Sequence, residues 1–377
     1  MFYVIICLGG ETMLETALKI LKKFSEHSYK AYIVGGFVRD HILGIESSDI
    51  DITTNATPKE VKELFADSCL PNDDYGSVVV IKKGIRFDIT TFREDIDYED
   101  HRKPVTVRYI DDLYPDLLRR DFVINTLCMD ENGVIIDYLG AQEDINNRII
   151  RTVGDSYEKF SEDSLRILRA IRFATILDFQ LSDEVRDAIV KTKKYVKQLS
   201  YTRKKEELDK IFNSPNRDKG IQMLLDFHLE EELDLSHLKD VLGLDINSSI
   251  AIWSLLDVSS IYPFHKSEME IMRDIHKAME LNNLDPMALY TYGLYVNSCA
   301  GRIKGIELKN INESYNNLVI HSRDEIDIDS ISIMDLLHRK PGKYLKEIYD
   351  DVEREILYKR LSNSREDISN YILKHYQ

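Results

Sequence analysis

The sequence lacks three features that mark well-defined classes of protein. Its four cysteines form no C-x-x-C pair, which argues against a zinc site or a disulfide framework and predicts a reducing, cytoplasmic location. No apolar run approaches the length of a membrane span, so no membrane partner is expected. Positive charge is not in excess, because the formal net charge is −16. That charge disfavours non-specific nucleic-acid binding but says little about a local basic patch.

The pattern along the chain predicts an α+β fold with a mixed N-terminal part and a helical remainder. The 377 residues exceed the size of a single core, so two or more domains are expected. A helical segment at 14–24 is followed by the strand-like segments AYIV, DIDITT, SVVVIKKGIRFDITTF and GVIIDYL. From about Asp155 the pattern is helical, and the charged segment 93–112 is interpreted as a mobile loop. The predicted domains are a head with a mixed sheet (13–140), then an all-α neck (141–200), body (201–310) and tail (311–377).

The first twelve residues carry a hypothesis of their own. Gly9, Gly10 and Glu11 can be encoded by a purine run suited to ribosome binding just upstream of Met13. We therefore expect residues 1–12 to be a non-native extension and Met13 to be the start. The alternative is an ordinary short N-terminal strand.

Paired acids follow a glycine turn in the stretch AYIVGGFVRDHILGIESSDIDITT. Asp49 and Asp51 are two apart in a predicted strand, so they project from one face, and two carboxylates on one face suit Mg²⁺. The turn Gly35-Gly36 leads from a strand into a helix, where backbone N–H groups can approach a phosphate and Arg39 can add a charge-assisted contact. Asp88, in RFDIT, is a candidate third acid for a metal-assisted transfer; an edge-strand acid would look the same.

The ordered motifs GGFVRD, DIDITTNATP, RRDFVINTL, IIRTVGD and EDSLRILRAIRFA, with the tail segment KPGKYLKEIYDDVEREILYKRLSN, resemble those of one family. They are similar to the class II tRNA nucleotidyltransferases and bacterial poly(A) polymerases of the polymerase-β superfamily. The resemblance implies a polymerase-β-like head and an enzyme that adds C, C and A to the 3′ end of tRNA without a nucleic-acid template. It also implies that Arg120 contacts the triphosphate, while Asp121 and Asn125 belong to the ribose-recognising segment; a local capping network is the alternative for that pair.

Nucleotide selection is expected at EDSLR, where Asp163 and Arg166 are three apart on a predicted helix and so lie on one face. A carboxylate accepts hydrogen bonds and a guanidinium donates them, which matches the amino donor and ring-nitrogen acceptor of cytosine and adenine but not guanine or uracil. The alternative is a helix start with Ser161 as N-cap. Arg169 and Arg172 continue the basic stripe that the family uses around the nucleotide; a solvent-facing or ion-paired stripe is the alternative.

Two positions depart from the family pattern. Thr202, in LSYTRKKEEL, stands where the family usually has Glu, although Arg203 and Glu207 fit. Ser47 and Ser48 precede Asp49 where many members have a proline and a lysine.

The expected partners are tRNA, CTP and ATP, with Mg²⁺ as cofactor and no DNA. Basic segments that could meet RNA phosphates are KKYVK (193–197), RKK (203–205) and HRK (101–103). Members of the family that add only CC characteristically lack the loop between the two head motifs, so the presence of residues 93–107 speaks against such an enzyme. An A-adding specialist stays open, a poly(A) polymerase ranks below it, and a catalytically silent RNA-binding protein is the alternative from another class.

Overall fold

The computed structural model describes residues 12–70, 76–98, 104–246 and 248–377 of the chain. It divides into two compact units, with the boundary between Asp234 and Leu235. The predicted division into head, neck, body and tail is finer than this and stays a prediction. The hypothesis about the extreme N-terminus, apart from Thr12, and the basic segment HRK lie outside the described residues. In the part of the chain that is described, no helix is both long enough and apolar enough to cross a bilayer.

All the strands among the described residues belong to the first unit, which confirms the mixed N-terminal part of the predicted α+β fold. Its strands are β1 (Ala31–Val34), β2 (Ile50–Thr54), β3 (Cys69–Leu70), β4 (Ser77–Lys82), β5 (Ile85–Thr91), β6 (Arg93–Tyr98), β7 (Pro104–Tyr109), β8 (Cys128–Met129), β9 (Ile135–Ile136), β10 (Ile149–Ile150) and β11 (Gln180–Leu181). Its helices are α1 (Met13–Glu26), α2 (Gly36–Leu43), α3 (Pro58–Leu64), α4 (Leu113–Leu118), α5 (Ala141–Asn147), α6 (Ser156–Glu162), α7 (Leu165–Ile176), α8 (Asp183–Thr192), α9 (Tyr201–Phe212) and α10 (Arg217–Asp226).

Seven strands form one mixed sheet in the order β3-β4-β5-β2-β1-β8-β9. The pair β2 and β5 is parallel, whereas the other neighbours are antiparallel. Leu113 and Leu117 of α4 pack against Val34 and Cys128, so this helix covers the face of the sheet to which Val34 belongs. Because Val34 lies opposite Asp51 in the register of β1 and β2, the paired acids lie on that same covered face.

Local sequence explains where several elements begin. Thr12 and Thr57 form capping boxes with Glu15 and Glu60, and these fix the first turns of α1 and α3. Asp155 caps α6 by accepting from the backbone N–H of Glu158. Each helix therefore begins where a short polar side chain satisfies a backbone donor that the helix itself leaves unpaired.

The interpretation of residues 93–112 as a mobile loop is wrong for the described part of that segment. β6 and β7 pair antiparallel, with Arg93 opposite Tyr109, and form a two-stranded sheet. The side chains of Glu94 and Arg108, which lie opposite each other in that register, form an ion pair. High charge led to the loop prediction, but a strand exposed to water accepts charged residues when opposite charges face each other across the pair.

The second unit is helical, as predicted. Its helices are α11 (Ser249–Leu256), α12 (Lys266–Met279), α13 (Pro286–Ile303), α14 (Leu308–Asn316), α15 (Ser330–Leu337), α16 (Tyr344–Leu357) and α17 (Arg365–Tyr376). Ile348, Val352 and Ile356 lie on one face of α16 and are fully or almost fully buried, together with Ile368 and Ile372 of α17. Apolar residues at helical spacing, which the sequence shows clearly here, thus build this core.

Helices α7, α9 and α10 pack closely enough to require a glycine. A Cβ atom placed on Gly220 of α10 would lie 2.5 Å from Oγ1 of Thr175 and 2.7 Å from Cγ2 of Ile211. Thr175 and Ile211 are both completely buried, so neither side chain has room to move away.

Replacing Gly220 by Ala is expected to lower the free energy of unfolding of the first unit by about 1–3 kcal/mol, because the added methyl group overpacks this contact. Urea unfolding followed by circular dichroism measures it. The control is Gln222→Ala, on an exposed position of the same helix, which is expected to change stability by less than about 0.5 kcal/mol. Equal stability of the two variants would contradict the packing described here.

Candidate active site

Three acidic residues meet on one face of the sheet. The parallel register of β2 and β5 places Asp51 directly opposite Asp88, and Asp49 precedes β2 by one residue. Desolvation raises the pKa of Asp51, and the negative charges of Asp49 and Asp88 raise it further, while Arg120 acts in the opposite direction. The structure therefore brings together all three acids named from the sequence, with Arg120 beside them.

Asp88 already holds a cation. Nε and Nη2 of Arg86 donate to its two carboxylate oxygens at 3.1 and 2.8 Å. Arg86 and Asp88 are two apart in β5, so both side chains lie on the same face of the strand. Asp49 and Asp51 are thus the two acids of this group that are left for an added cation.

The glycine turn lies beside Arg120. Gly35 has φ of +82° and ψ of −133°, a conformation that side-chain-bearing residues rarely adopt, and it precedes the first turn of α2. Nη1 of Arg120 would lie 3.5 Å from a Cβ atom at this position. The turn thus joins a helix N-terminus to a guanidinium, which together favour an anion.

Arg120 is a largely buried cation with incomplete partners. Its side chain is 19% exposed, and its closest carboxylate oxygen is Oδ2 of Asp116, at 3.5 Å from Nη2. Its Nε is buried and has no hydrogen-bond partner among the described residues. A buried donor of this kind is costly unless a ligand or water satisfies it, so Arg120 is suited to receive an anionic group.

A chain of contacts links the remaining predicted residues of the head to α7. Nη1 of Arg39 donates to Oδ1 of Asn125 at 2.7 Å, and Nδ2 of Asn125 donates to Oδ1 of Asp121 at 3.2 Å. Nε of Arg169 donates to Oδ2 of Asp121 at 2.6 Å. The contact between Asp121 and Asn125 is the local network considered above as the alternative, and direct contact of Arg39, Asp121 or Asn125 with a nucleotide stays a prediction.

The charge of Asp121 is stabilised within this chain. Burial alone would raise its pKa, but Arg169, Asn125 and the backbone N–H of Phe122 together outweigh that effect and hold the pKa below its ordinary value of 3.8. Asp121 is therefore ionised in the folded protein and depends on Arg169.

One aromatic ring gathers three guanidinium groups. The CZ atoms of Arg39, Arg169 and Arg172 lie 5.2, 5.4 and 4.2 Å from the ring centroid of Phe173. Nε of Arg172 also lies 2.7 Å from Oε2 of Glu207. The aromatic face offers cations a partner that cannot neutralise them, and the three guanidinium groups are thereby gathered around the second half of α7.

The prediction that EDSLR forms a single helix is wrong. α6 ends at Glu162, Asp163 is extended with φ of −144° and ψ of 105°, and α7 begins at Leu165 with Ser164 as its N-cap. Ser161, considered above as an N-cap, lies inside α6. The pattern could not reveal the break because Glu, Asp and Ser are common at helix ends as well as in first turns.

Asp163 and Arg166 each have an acid or base partner. Nη2 of Arg203 donates to Oδ2 of Asp163 at 2.9 Å, and Nη1 of Arg166 donates to Oε2 of Glu162 at 2.6 Å. Arg166, Arg169 and Arg172 are thus ion-paired, which is the second of the two alternatives for the basic stripe. Two residues of α9 form ion pairs with this region: Arg203 with Asp163, and Glu207 with Arg172. The helix that carries them is therefore retained although Thr202 replaces the usual acid.

The interpretation of RKK as a basic surface for RNA is wrong. Arg203 is paired with Asp163, Lys204 is completely buried and donates to the backbone carbonyl of Glu232 at 3.0 Å, and Lys205 is paired with Asp209. Only Lys204 points into the protein interior, whereas Arg203 and Lys205 are partly exposed but each is paired with an acid. In KKYVK, by contrast, the side chains of Lys194 and Lys197 are exposed.

The carboxylates of the three acids fit only one mode of metal binding. No group of three or more His, Cys, Asp or Glu side chains is arranged to hold a metal ion within the described ranges. Mg²⁺ usually keeps several waters and is bound through one or two carboxylates plus substrate phosphates. Asp49 and Asp51 beside a phosphate-binding turn fit that mode, whereas Asp88 is held by Arg86.

Sequence reasoning did not single out Asp116, Arg86 and Phe173 as parts of the site. Asp116 precedes Arg119 and Arg120 by three and four residues, a spacing that favours ion pairs on a helix and could have identified it. Arg86 is two before Asp88 in a strand, which is an equally readable signal. Phe173 carries no signal of its own, because an aromatic residue on a buried helix face is most often part of the core.

Comparison with known proteins places this arrangement in a class. The family described as "Poly A polymerase head domain" matches residues 31–151. An RNA-binding region of polymerase A matches residues 178–234, and domain 2 of tRNA nucleotidyltransferases matches residues 254–372. Fold and sequence thus define a nucleotidyltransferase with a poly(A) polymerase head.

Full-length relatives make the family specific. CCA-adding enzymes of Staphylococcus aureus (strain bovine RF122 / ET3-1) and Geobacillus sp. (strain WCH70) are each 32% identical to this chain, covering 97% and 95% of it and 99% and 96% of their own lengths. The Bacillus stearothermophilus CCA-adding enzyme, solved in complex with CTP, is similar with a TM-score of 0.81 and 27% identity over 95% of this chain and 96% of that one. The chain belongs to the family of CCA-adding enzymes.

A more distant structure supports the fold alone. The Thermotoga maritima CCA-adding enzyme, complexed with tRNA, has a TM-score of 0.68 at 21% identity, over 96% of this chain and 95% of that chain.

Replacing Asp121 by Asn is expected to lower the free energy of unfolding at neutral pH by about 3 kcal/mol, because Arg169 then keeps a largely buried charge without its partner. The folded-state pKa of Asp121 lies below 3.8, so its contribution is complete above that pH and is lost as the pH falls through the depressed pKa. The difference between wild type and variant should therefore shrink in acid. Urea unfolding at neutral and acidic pH measures it.

Asp178→Asn is the matched control for this prediction. Asp178 also has a lowered pKa, through its hydrogen bond with Lys219, but its side chain is 57% exposed. Its loss is expected to destabilise the protein much less than the loss of Asp121, because water screens an exposed ion pair. Equal destabilisation by the two variants would show that Asp121 is no more than a surface partner.

Proposed function

We propose that this protein adds CCA to the 3′ end of tRNA, using CTP and ATP without a nucleic-acid template. The 3′-hydroxyl oxygen of the RNA attacks the α-phosphate of the nucleotide, the bond to the β-phosphate breaks, and pyrophosphate leaves. The observation that carries the proposal is the meeting of Asp49 and Asp51 with Arg120 and the Gly35 turn on one face of the sheet. Membership of the CCA-adding family supplies the substrate class, and a tRNA substrate places the enzyme in the cytoplasm.

The family generally uses a divalent metal, and we assign Mg²⁺ to Asp49 and Asp51. When bound there, the ion would neutralise charge on the phosphates and lower the pKa of the attacking hydroxyl group. Arg120 and the N-terminus of α2 bind the triphosphate and orient it. Burial raises the pKa of Asp51, and the charges of Asp49 and Asp88 raise it further against the lowering effect of Arg120, so an added cation would offset the repulsion between these acids.

Base selection is assigned to Asp163 and Arg166. Their partners Arg203 and Glu162 fix the directions of the two side chains before a nucleotide binds. An edge that accepts at Asp163 and donates at Arg166 complements cytosine and adenine, and it would leave a charge unpaired against guanine or uracil. We assign Arg169 and Arg172, each of which is paired with an acid, to the wall of the same nucleotide site.

The hairpin of β6 and β7 favours addition of A as well as C, because the corresponding segment is present rather than deleted. An A-adding specialist would retain it too, so the product has to be measured. A catalytically silent RNA-binding protein would have no use for acids held together against their own repulsion.

The test uses three tRNA transcripts that end before CCA, after C and after CC, with Mg²⁺ and with CTP and ATP supplied separately and together. Extension of all three to a mature CCA end is expected, sized at single-nucleotide resolution. Asp51→Asn should reduce the rate by about three orders of magnitude, or ~4 kcal/mol of barrier. Glu46→Gln, at an exposed position of the segment that connects α2 to β2, should retain the rate.

Addition of a single A to the CC-ending tRNA alone would replace the proposal by an A-adding enzyme. Inactivity of the wild-type protein on every transcript would remove the polymerase function.

Arg203→Gln is expected to raise incorporation of UTP and GTP relative to CTP and ATP by about tenfold, because Asp163 loses the partner that fixes its direction. Single-turnover incorporation of each nucleotide measures the ratio. Lys205→Gln, on the same helix and paired with Asp209, is the control. Unchanged selectivity in Arg203→Gln would dissociate Asp163 from base choice.

A further inference from the structure

Asp116 carries a charge in the interior of the first unit that none of the steps above uses. Its side chain is 0% exposed, on α4, which covers the sheet face of the catalytic acids. An ionisable group this deeply buried is rare unless it is paired, and burying it costs several kcal/mol. The positions of its partners indicate what this buried carboxylate does.

Each oxygen of Asp116 faces a different set of donors. Oδ1 accepts from Nε of Arg119 at 2.8 Å and from the backbone N–H of Arg93 at 3.1 Å. Oδ2 faces Oγ1 of Thr53 and Nη2 of Arg120, each at 3.5 Å. The carboxylate is thus held on one side by α4 and β6, and on the other side it lies between the sheet and Arg120.

The contact with Thr53 ties this carboxylate to the strand of the catalytic acids. Thr53 follows Asp51 by two residues in β2, so both side chains lie on the same face of the strand. Thr53 is itself buried, at 1% exposure, and cannot move independently of the sheet. Asp116 therefore restrains the position of Arg120 relative to the strand that carries Asp51.

We propose that Asp116 is a positioning residue that aims the guanidinium of Arg120 at the triphosphate, beside the Gly35 turn. This inference rests on the proposed function, because it assigns the phosphates to Arg120. The long 3.5 Å contact restrains the guanidinium without saturating it, and Nη1 lies beside the Gly35 turn. Shorter contacts, such as those that Nε and Nη2 of Arg119 make with Oδ1 of Asp116 at 2.8 Å, would compete with the phosphates.

The test compares Asp116→Asn with Asp144→Asn. Asp144 is also buried, at 7% exposure, and is paired with Arg151 at 3.2 Å on α5 of the same unit, so it controls for the loss of a buried charge as such. Binding of CTP and of CMP, which lacks the β- and γ-phosphates, is measured by titration calorimetry with Mg²⁺. Thermal unfolding is recorded for each variant.

Asp116→Asn is expected to raise the Kd for CTP by about tenfold or more, the usual effect of losing an orienting partner, while the Kd for CMP changes less than about twofold. Asp144→Asn should change neither. In a protein that already carries Arg120→Gln, adding Asp116→Asn should produce no further change in the ratio of the two constants, because the effect passes through Arg120.

Equal weakening of CTP and CMP by Asp116→Asn, or full additivity with Arg120→Gln, would overturn the inference. If Asp116→Asn shows no folded transition, the near-isosteric Thr53→Val takes its place, with an expected loss of about threefold that is again confined to CTP. A CTP to CMP ratio like that of the wild type in this folded variant overturns the inference. Wild-type protein that binds neither CTP nor ATP would overturn the proposed function and this inference with it.

Discussion

The structure depends on holding like charges together at one place in the sheet. Asp49, Asp51 and Asp88 repel one another, and the parallel pairing of β2 and β5 keeps them close because the backbone register leaves no other position for Asp51 and Asp88. The surrounding cations offset that repulsion. Arg86 takes Asp88, and Arg120 acts on Asp51 without contacting it closely. The negative charge of Asp49 and Asp51 is left without a close cation, near the largely buried positive charge of Arg120. A complex of a metal ion with a nucleotide matches both, because the metal is positive and the phosphates are negative.

The segment to which we assign base selection shows the same principle in another form. Its three arginines are paired with acids from three different parts of the first unit, namely Glu162 of α6, Asp121 of the head and Glu207 of α9. Each pair fixes one direction in space. A site that must recognise two different bases with one set of side chains benefits from such fixed directions, because little ordering is left to do when the nucleotide arrives.

Much of the fold could be predicted because local signals agreed with the final structure. The helical segments at α1 and α16, the strand-like segments at β4 and β5, and the glycine turn before α2 all have the predicted type. The pairing of β6 with β7 could not be predicted from charge, since contacts across the strand pair decide whether charged residues form strands. The break at Asp163 was equally hidden, because a residue suited to a first helical turn is equally suited to a junction.

For the site, the sequence named candidate residues but not their contacts. Arg120 is far from Asp49 and Asp51 in sequence, and only the resemblance to a family joined it to them in advance. Asp116 could have been read from its spacing to Arg119 and Arg120. Its contact with Thr53 could not, because that contact depends on how α4 lies across the sheet.

The chain of contacts from Arg39 through Asn125 and Asp121 to Arg169 has a consequence for how the sequence can change over time. Asn125 and Asp121 each serve two neighbours, so a single substitution at either position breaks two contacts at once. A compensating change would have to restore a donor at one end and an acceptor at the other, in segments more than forty residues apart. We expect these four positions to vary together or not at all among descendants of this chain, and drift here to be slower than on the surrounding surface.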